Sequence, residues 1–426
     1  MKIKPVKGTR DFYPELMRLR NYIVNAWRRV SLRNGFEEYD APIFEYLDLF
    51  TLKSGDEIAT QLFNFTDRGG RNLAIRPEIT PSLARMVAAK INALPRPIKW
   101  FSVPRLCRAE NPQKGRLREF FQWNVDIIGV DSIQADAECI YTAVDLLREL
   151  NLSSEDVCVR IGCRPLTVAS LELANTPQDK IDTALALLDK RPKVTEQAFK
   201  KLVEAEGLTF ENLSVACALQ EAKTIEAIRE IFASREDLNE TIDNLAELLD
   251  RLAKMGVEDY CLLDMSIVRG LAYYTGVVYE VFDRKQSLRA VAGGGRYDKL
   301  LELVGGPAAS ATGFGMGDVV LAILLEEKGK LPAELATGEL DYFVIDGSDT
   351  SIDTVLEVAG KLRTAGLKTD YSFKRANVGK QIKEASRRGA TFAVVIHGET
   401  VAVKNLKTAE QQPDMSLEDF LAAKCG

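Results

Sequence analysis

Arg105-Leu106-Cys107-Arg108-Ala109-Glu110-Asn111-Pro112-Gln113-Lys114-Gly115-Arg116-Leu117-Arg118-Glu119-Phe120-Phe121-Gln122-Trp123-Asn124-Val125-Asp126-Ile127-Ile128 decides how this chain is read. Its second half alternates. Leu117, Phe121, Trp123, Val125 and Ile127 share one face, with Glu119 out of step. Arg118, Phe120, Gln122, Asn124 and Asp126 share the other. Successive side chains of a strand point to opposite faces, so the period of two predicts a strand over 117–128 with an apolar core face. The second face sets amide and carboxylate among aromatics. It fits either a solvated outer face or the floor of a polar pocket.

Upstream, Pro97 to Pro104 reads as a strand, and Ala109 to Gly115 as a polar loop. Together they predict a long antiparallel hairpin with an extended basic loop. Arg96 to Arg118 holds seven basic residues against one acid, Glu110. An arginine near a glutamate on such a loop can hold a triphosphate. The guanidinium binds phosphate oxygens, and the carboxylate reads an amine or orients the arginine. The same spacing fits a surface cluster of salt bridges.

Further out, Leu16, Leu19, Ile23 and Trp27 recur at helical spacing between Pro14 and a stop at Asn34-Gly35. The chain reads as extended around Pro42 and helical from Thr80 to Ile91. Residues 163–256 are rich in Leu, Ala, Glu and Lys and predict an all-helical insert. Extended sequence returns over 264–282, followed by a glycine-rich segment, Gly293 to Asp298, read as a turn. Gly313-Phe314-Gly315-Met316-Gly317 then leads into an apolar helix, Val319 to Leu325. These glycines permit close backbone approach to a planar ring or phosphate, or plain turns. Neither a P-loop nor a Gly-x-Gly-x-x-Gly fingerprint is present. After a polar linker, strand and helix alternate from Tyr342 to Ile396, predicting a small α/β domain with a largely parallel sheet. Lys361 to Arg388 is a second basic island, with nine basic and two acidic residues.

Composition narrows the chemistry. The 426 residues are 46% hydrophobic and 28% charged, with net charge −6 and one histidine, His397. One imidazole leaves no multi-histidine metal site and no secure triad with a separate base. Chemistry here must run on carboxylates, arginines, lysines, hydroxyls or backbone groups. His397, near the end of a C-terminal strand, is expected to have no catalytic role. Seven scattered cysteines read as free thiols of a reducing compartment. The N-terminal stretch is not a signal peptide, and no segment is apolar enough to span a membrane, so a cytoplasmic location is expected.

Five segments occur in order: Arg76-Pro77-Glu78-Ile79-Thr80, the Arg108 hairpin, Val268-Arg269-Gly270-Leu271-Ala272-Tyr273-Tyr274, Gly294-Gly295-Arg296-Tyr297-Asp298, and Gly313 to Gly317. With Lys7-Gly8-Thr9-Arg10-Asp11 they resemble the histidyl-tRNA synthetase family of class II aminoacyl-tRNA synthetases over essentially the whole chain. The resemblance implies an α+β catalytic domain with an antiparallel sheet, a helical insert and a C-terminal α/β anticodon-binding domain. The expected divisions are 1–162 with 259–327 (catalytic), 163–258 (insert), 328–338 (linker) and 339–426 (anticodon-binding).

It also implies roles. Arg108 and Arg269 would be the catalytic guanidiniums at the reacting carboxylate and α-phosphate. Arg108, Glu110, Gly313, Gly315 and Gly317 would bind ATP, which carries Mg²⁺. Glu78, Thr80 and Gln122 would take the amino group of histidine, and Asp126, Tyr273 and Tyr274 would surround its imidazole. Gln113, Lys114 and Arg116, with Arg375 and Lys380, would meet tRNA(His). Pro42 would lie in a homodimer interface, and no resident protein-bound metal is expected. The chain departs from the family pattern at Asn111, Asp126 and Ala272, and has Val320 in the region where a third-motif arginine is usual. Arg296 is one candidate to replace it. The implied activity is histidine–tRNA ligation through an adenylate. The alternatives are a catalytically silent tRNA binder and a histidine-sensing regulator, the latter disfavoured by the C-terminal domain.

Overall fold

The period-two pattern is realised as β7 (Glu119–Ile128) in a computed structural model that describes residues 3–51, 62–268, 274–336, 340–347, 350–374 and 376–425. The chain divides into two units, residues 1–12 with 19–330, and residues 13–18 with 331–426.

In the first unit β7 lies inside a nine-stranded sheet. β5 (Ile98–Ser102) pairs antiparallel on one side, with Ile98 opposite Ile128. β12 (Ala311–Gly317) pairs antiparallel on the other, with Gly313 opposite Asp126. The order continues through β11 (Ala292–Arg296), β10 (Val277–Asp283), β8 (Val157–Cys163) and β9 (Cys261–Leu263). β1 (Glu37–Glu38) flanks β5 in parallel. The strand restarts after Pro104 as β6 (Arg105–Cys107), which pairs with the Glu119–Phe121 end of β7. A separate antiparallel sheet holds β2 (Phe44–Tyr46), β4 (Asn72–Ile75) and β3 (Asn64–Thr66).

One face of the large sheet is covered by α1 (Pro14–Arg33). Trp27 of α1 stacks on Trp123 of β7 at 6.3 Å between centroids, and Phe314 of β12 meets Trp123 edge-on at 5.0 Å. The Trp123 Nε1–H donates to Ser31 Oγ at 2.8 Å, so the indole is buried without losing its hydrogen bond. Truncating such a residue costs ~3–5 kcal/mol. Among the described residues the remaining α-helices of this unit are α2 (Leu47–Thr51), α3 (Thr80–Lys90), α4 (Ile133–Glu149), six between β8 and β9, then α11 (Leu300–Leu303) and α12 (Asp318–Glu327). The six are α5 (Arg164–Leu173), α6 (Ile181–Lys190), α7 (Glu196–Ala205), α8 (Ser214–Glu221), α9 (Ile225–Ile231) and α10 (Asn239–Lys254). Leu171, Leu188, Phe199 and Leu213 belong to one buried cluster there, joined by Val268 from beyond β9.

The sequence reading of Gly293 to Gly295 as a turn is corrected: they form β11, inside the sheet. Glycine is depleted in strands because it packs nothing. Here its missing side chain is filled by neighbours. A Cβ on Gly294 would lie 2.6 Å from Phe314 Cβ.

In the second unit β13 (Leu340–Asp346) pairs in parallel with β14 (Thr369–Tyr371) and β15 (Ala390–His397). β16 (Thr400–Asn405) and β17 (Met415–Ser416) then add antiparallel, so the sheet is mixed rather than largely parallel. α13 (Ile352–Thr364), α14 (Val378–Arg387) and α15 (Leu417–Cys425) complete the α/β unit. Among the described residues no helix is long and apolar enough to cross a membrane.

Candidate active site

Paired residues of a sheet share a face, so the registers place the site residues directly. Opposite the Trp27 side, β7 presents Phe120, Gln122, Asn124 and Asp126. Beside them β12 presents Gly313, Gly315 and Gly317, and β11 presents Gly293 and Gly295. The face is a polar strip next to two strands almost without side chains. Asn124 and Asp126 are 5% and 2% exposed, which excludes a solvated outer face. The buried Asn124 Oδ1 and Ser102 Oγ have no partner among the described residues. Leaving a buried polar group unpaired costs ~1–3 kcal/mol, which a bound ligand can recover. Asp126 accepts a hydrogen bond from the Tyr297 hydroxyl. Tyr274 is buried, and its ring stands 2.9 Å from where a Gly295 Cβ would be.

The hairpin loop is folded against this face. Arg108 N–H donates to Arg118 O, and Gln113 and Arg116 exchange backbone bonds across a turn in which Gly115 has φ +77°. The Arg108 Nε–H donates to Pro77 O at 3.1 Å, and its guanidinium lies 5.0 Å from the Phe120 ring. This brings Arg108 to the segment that carries half-buried Glu78 and buried Thr80 at the start of α3. Arg76 anchors that segment: it is 4% exposed and donates to Asp40 Oδ1, Ala41 O and Arg105 O.

Several cations of the basic loop are already paired. Glu110 forms an ion pair with Arg116, so its carboxylate is engaged within the loop. Lys114 pairs with Glu327 at 3.3 Å and Arg105 with Glu119 at 3.0 Å. The N-terminal motif closes on the same hairpin. Gly8 O accepts from Arg118 N–H, and Arg10 pairs with Asp318 at 2.7 Å. Burial pushes the Asp318 carboxyl up, and Arg10 opposes the rise. Burial likewise raises the Tyr39 hydroxyl well above its ordinary value, reinforced by the nearby Asp126 charge.

Arg296, one candidate to replace the third-motif arginine, is not available to the pocket. It alternates with Gly295 and projects from the opposite face. There its Nε–H donates to buried Asp136 at 3.0 Å, and its Nη2–H donates to Ser132 O at 2.8 Å. Gly313 and Gly315 serve first to leave room for Asp126 and Gln122, whose side chains fill the space a Cβ there would need. Arg269, Tyr273 and Arg375 lie outside the described residues, and Lys380 is exposed on α14 of the second unit. His397 is exposed at the end of β15, in that unit. Sequence reasoning left out Asn124, Ser102 and Tyr297. Asn124 carried a signal, since it stands between Gln122 and Asp126 in the alternation. Ser102 becomes visible only through strand register, and Tyr297 only through its hydrogen bond to Asp126.

A family model described as histidyl-tRNA synthetase matches residues 8–318, and one described as an anticodon binding domain matches residues 341–423. The histidine–tRNA ligase of Opitutus terrae is 42% identical over 402 residues, covering 94% of this chain and 91% of that protein. The chloroplastic/mitochondrial histidine–tRNA ligase of Arabidopsis thaliana is 38% identical, covering 96% and 84%. The crystal structure of histidyl-tRNA synthetase from Nostoc sp. PCC 7120 superposes with TM-score 0.83 at 23% identity, covering 99% of both chains, a likeness of fold. With family models on both parts of the chain and relatives matched along nearly all of it, this protein belongs to the histidyl-tRNA synthetase family.

Proposed function

We propose that the buried polar strip of β7 and the Arg108 hairpin form the site at which this histidine–tRNA ligase activates its amino acid. The supporting observation is the face itself: Gln122, Asn124 and Asp126 in a row, with Asn124 Oδ1 buried and unpartnered, beside glycine strands whose missing side chains give Gln122 and Asp126 their space. Glu78, Thr80 and Gln122 take the ammonium of histidine. Asp126, Tyr273 and Tyr274 read its imidazole, which suits buried polar groups that an analogue would leave unpaired.

In activation the histidine carboxylate attacks the α-phosphorus and pyrophosphate leaves. The attacking group is already an anion, so no protein base is needed. Arg108 and Arg269 stabilise the charge gathering on the α-phosphate oxygens, each such donor contributing ~2.7–4 kcal/mol. Glu110, Gly313, Gly315 and Gly317 line the nucleotide; Glu110 must first leave Arg116. Mg²⁺ is carried in on the phosphates and adds charge neutralisation. The carboxylates of this face, Asp126 and Glu78, are given to the amino acid, and the ion arrives with ATP.

The adenylate carbonyl is then attacked by the terminal ribose hydroxyl of tRNA(His), with AMP leaving. Gln113, Lys114 and Arg116 meet the acceptor end. In the second unit Arg375 and Lys380 meet the anticodon end, where Lys374, Lys383 and Arg387 are exposed without a carboxylate partner among the described residues. Residues 1–162 with 259–327 act as the catalytic domain, 163–258 as its insert, 328–338 as linker and 339–426 as the anticodon-binding domain. Beside Pro42, the exposed Ile43, Phe44, Tyr46 and Phe65 form an apolar patch suited to a homodimer. Seven free thiols suit a reducing cytoplasm.

The test is histidine-dependent ATP–pyrophosphate exchange run beside tRNA(His) charging. Arg108→Ala and Arg269→Ala should each cut exchange ~100-fold or more with the fold intact. Exchange by the parent that neither substitution affects would remove these arginines from the site.

A further inference from the structure

Three features converge on the turn between β10 and β11. Val320, in the first turn of α12, offers only methyl groups to the hairpin loop; its Cγ2 lies 3.2 Å from where a Gly115 Cβ would be. Arg289 reaches the same point from the β10–β11 turn, its Cδ 3.9 Å from that Cβ position. The Gly317 N–H donates to Val291 O at 3.3 Å, so the turn runs alongside the last residue of β12 and the start of α12.

Charge distinguishes Arg289 from its neighbours. Arg10, Arg105, Lys114 and Arg116 are each held by a carboxylate. Arg289 is exposed and has no carboxylate partner among the described residues. Among the described residues its one side-chain hydrogen bond runs from Nη1–H to the neutral Gln113 Oε1, at 3.3 Å. A guanidinium resting on an amide gives up little on moving to phosphate, and gains charge-assisted, bidentate bonds.

We propose that Arg289 is a nucleotide-binding residue of this enzyme, delivering from the β10–β11 turn the guanidinium that grips the ATP polyphosphate where Val320 supplies none. The inference rests on the Arg108 hairpin being the ATP site. ATP brings about four negative charges, and the pyrophosphate end needs cations that are not neutralised within the protein. Arg289 touches Gln113, so ATP arrival would exchange an amide contact for an ionic one and free Gln113.

The test measures ATP and histidine dependence of exchange, with direct ATP binding by calorimetry. Arg289→Ala should raise the KM for ATP about 10-fold or more, the size expected for a lost charge-assisted bond. The KM for histidine should stay within about 2-fold, since the hydrogen bond of Arg289 runs to Gln113 rather than to a residue given to the amino acid. Arg289→Lys should fall between, and Val320→Arg added to Arg289→Ala should recover ATP affinity. Thermal unfolding unchanged from the parent confirms the fold. An ATP KM and calorimetric affinity unaffected by Arg289→Ala would overturn the inference, as would a defect confined to the KM for tRNA in charging. Calorimetry separates this from the activity itself: a parent that binds ATP without exchange contradicts the activation reading, while the Arg289→Ala affinity still decides the inference.

Discussion

The amide of Gln122 occupies the space that a side chain at residue 315 would need: a Cβ on Gly315 would lie 2.7 Å from Gln122 Nε2. Two strands thus share one volume, glycine giving what glutamine takes. Gly315→Ala should displace the Gln122 amide, the movable end of a side chain, without unfolding the sheet. The KM for histidine in exchange should rise ~10-fold, the size of one lost charged hydrogen bond. An unaltered histidine KM would detach Gln122 from the amino-acid pocket.

Arg296 and Asp136 form an ion pair whose carboxylate is fully buried. Removing one member leaves the other charged in the core, so Arg296→Met should destabilise by ~3–5 kcal/mol at pH 7 in urea unfolding. Burial raises the Asp136 carboxyl above its ordinary value even with the guanidinium opposing it. Without Arg296 the folded state binds that proton still more tightly than the unfolded chain does. Stability of the variant therefore recovers as pH falls through the raised value, and the deficit against the parent should be smaller at pH 5 than at pH 7. An equal deficit at both would assign the loss to packing.

Phe44 and Tyr46 are 50% and 57% exposed on the small sheet. If that patch is the dimer face, light scattering should give about twice the chain mass of 47.3 kDa for the parent and the single mass for Phe44→Glu. A parent of single mass would exclude the dimer.

Lys380 and Lys383 stand exposed on α14. Reversing both to Glu should weaken tRNA(His) binding and flatten its salt dependence, by roughly 0.7–0.9 in log–log slope for each phosphate no longer neutralised. Exchange needs no tRNA and should be unchanged. An equal fall in exchange and in tRNA binding would contradict the division of labour between the units.

The alternation over 117–128 is enough to identify a strand with one apolar and one polar face, because strand periodicity is local. The meaning of the polar face is not local. It depends on Gly313 lying opposite Asp126, far along the chain, and on Ser102 lying opposite Asn124. The glycines of β11 mislead for a related reason: glycine signals a turn by its own propensity, and the neighbour that fills its space is visible only after folding. Arg296 shows the same limit. Its charge is legible, but the face it projects from depends on the strand that holds it. Arg289 lies in a polar turn with no periodicity, and only proximity to Gly115 distinguishes it.

Cys163 ends β8, and Cys261 begins β9 beside Val159 of that same strand, so the helical excursion leaves the sheet and returns to it along β8. Residues 164–260 are thus a ring closed on one strand. Its closure cost grows only logarithmically, about 0.6 kcal/mol for each doubling of length. The helices in that ring also bury a cluster of their own. The sheet's geometry is therefore nearly indifferent to how many residues lie between 164 and 260, and insertion or trimming among those helices leaves the floor of the pocket undisturbed.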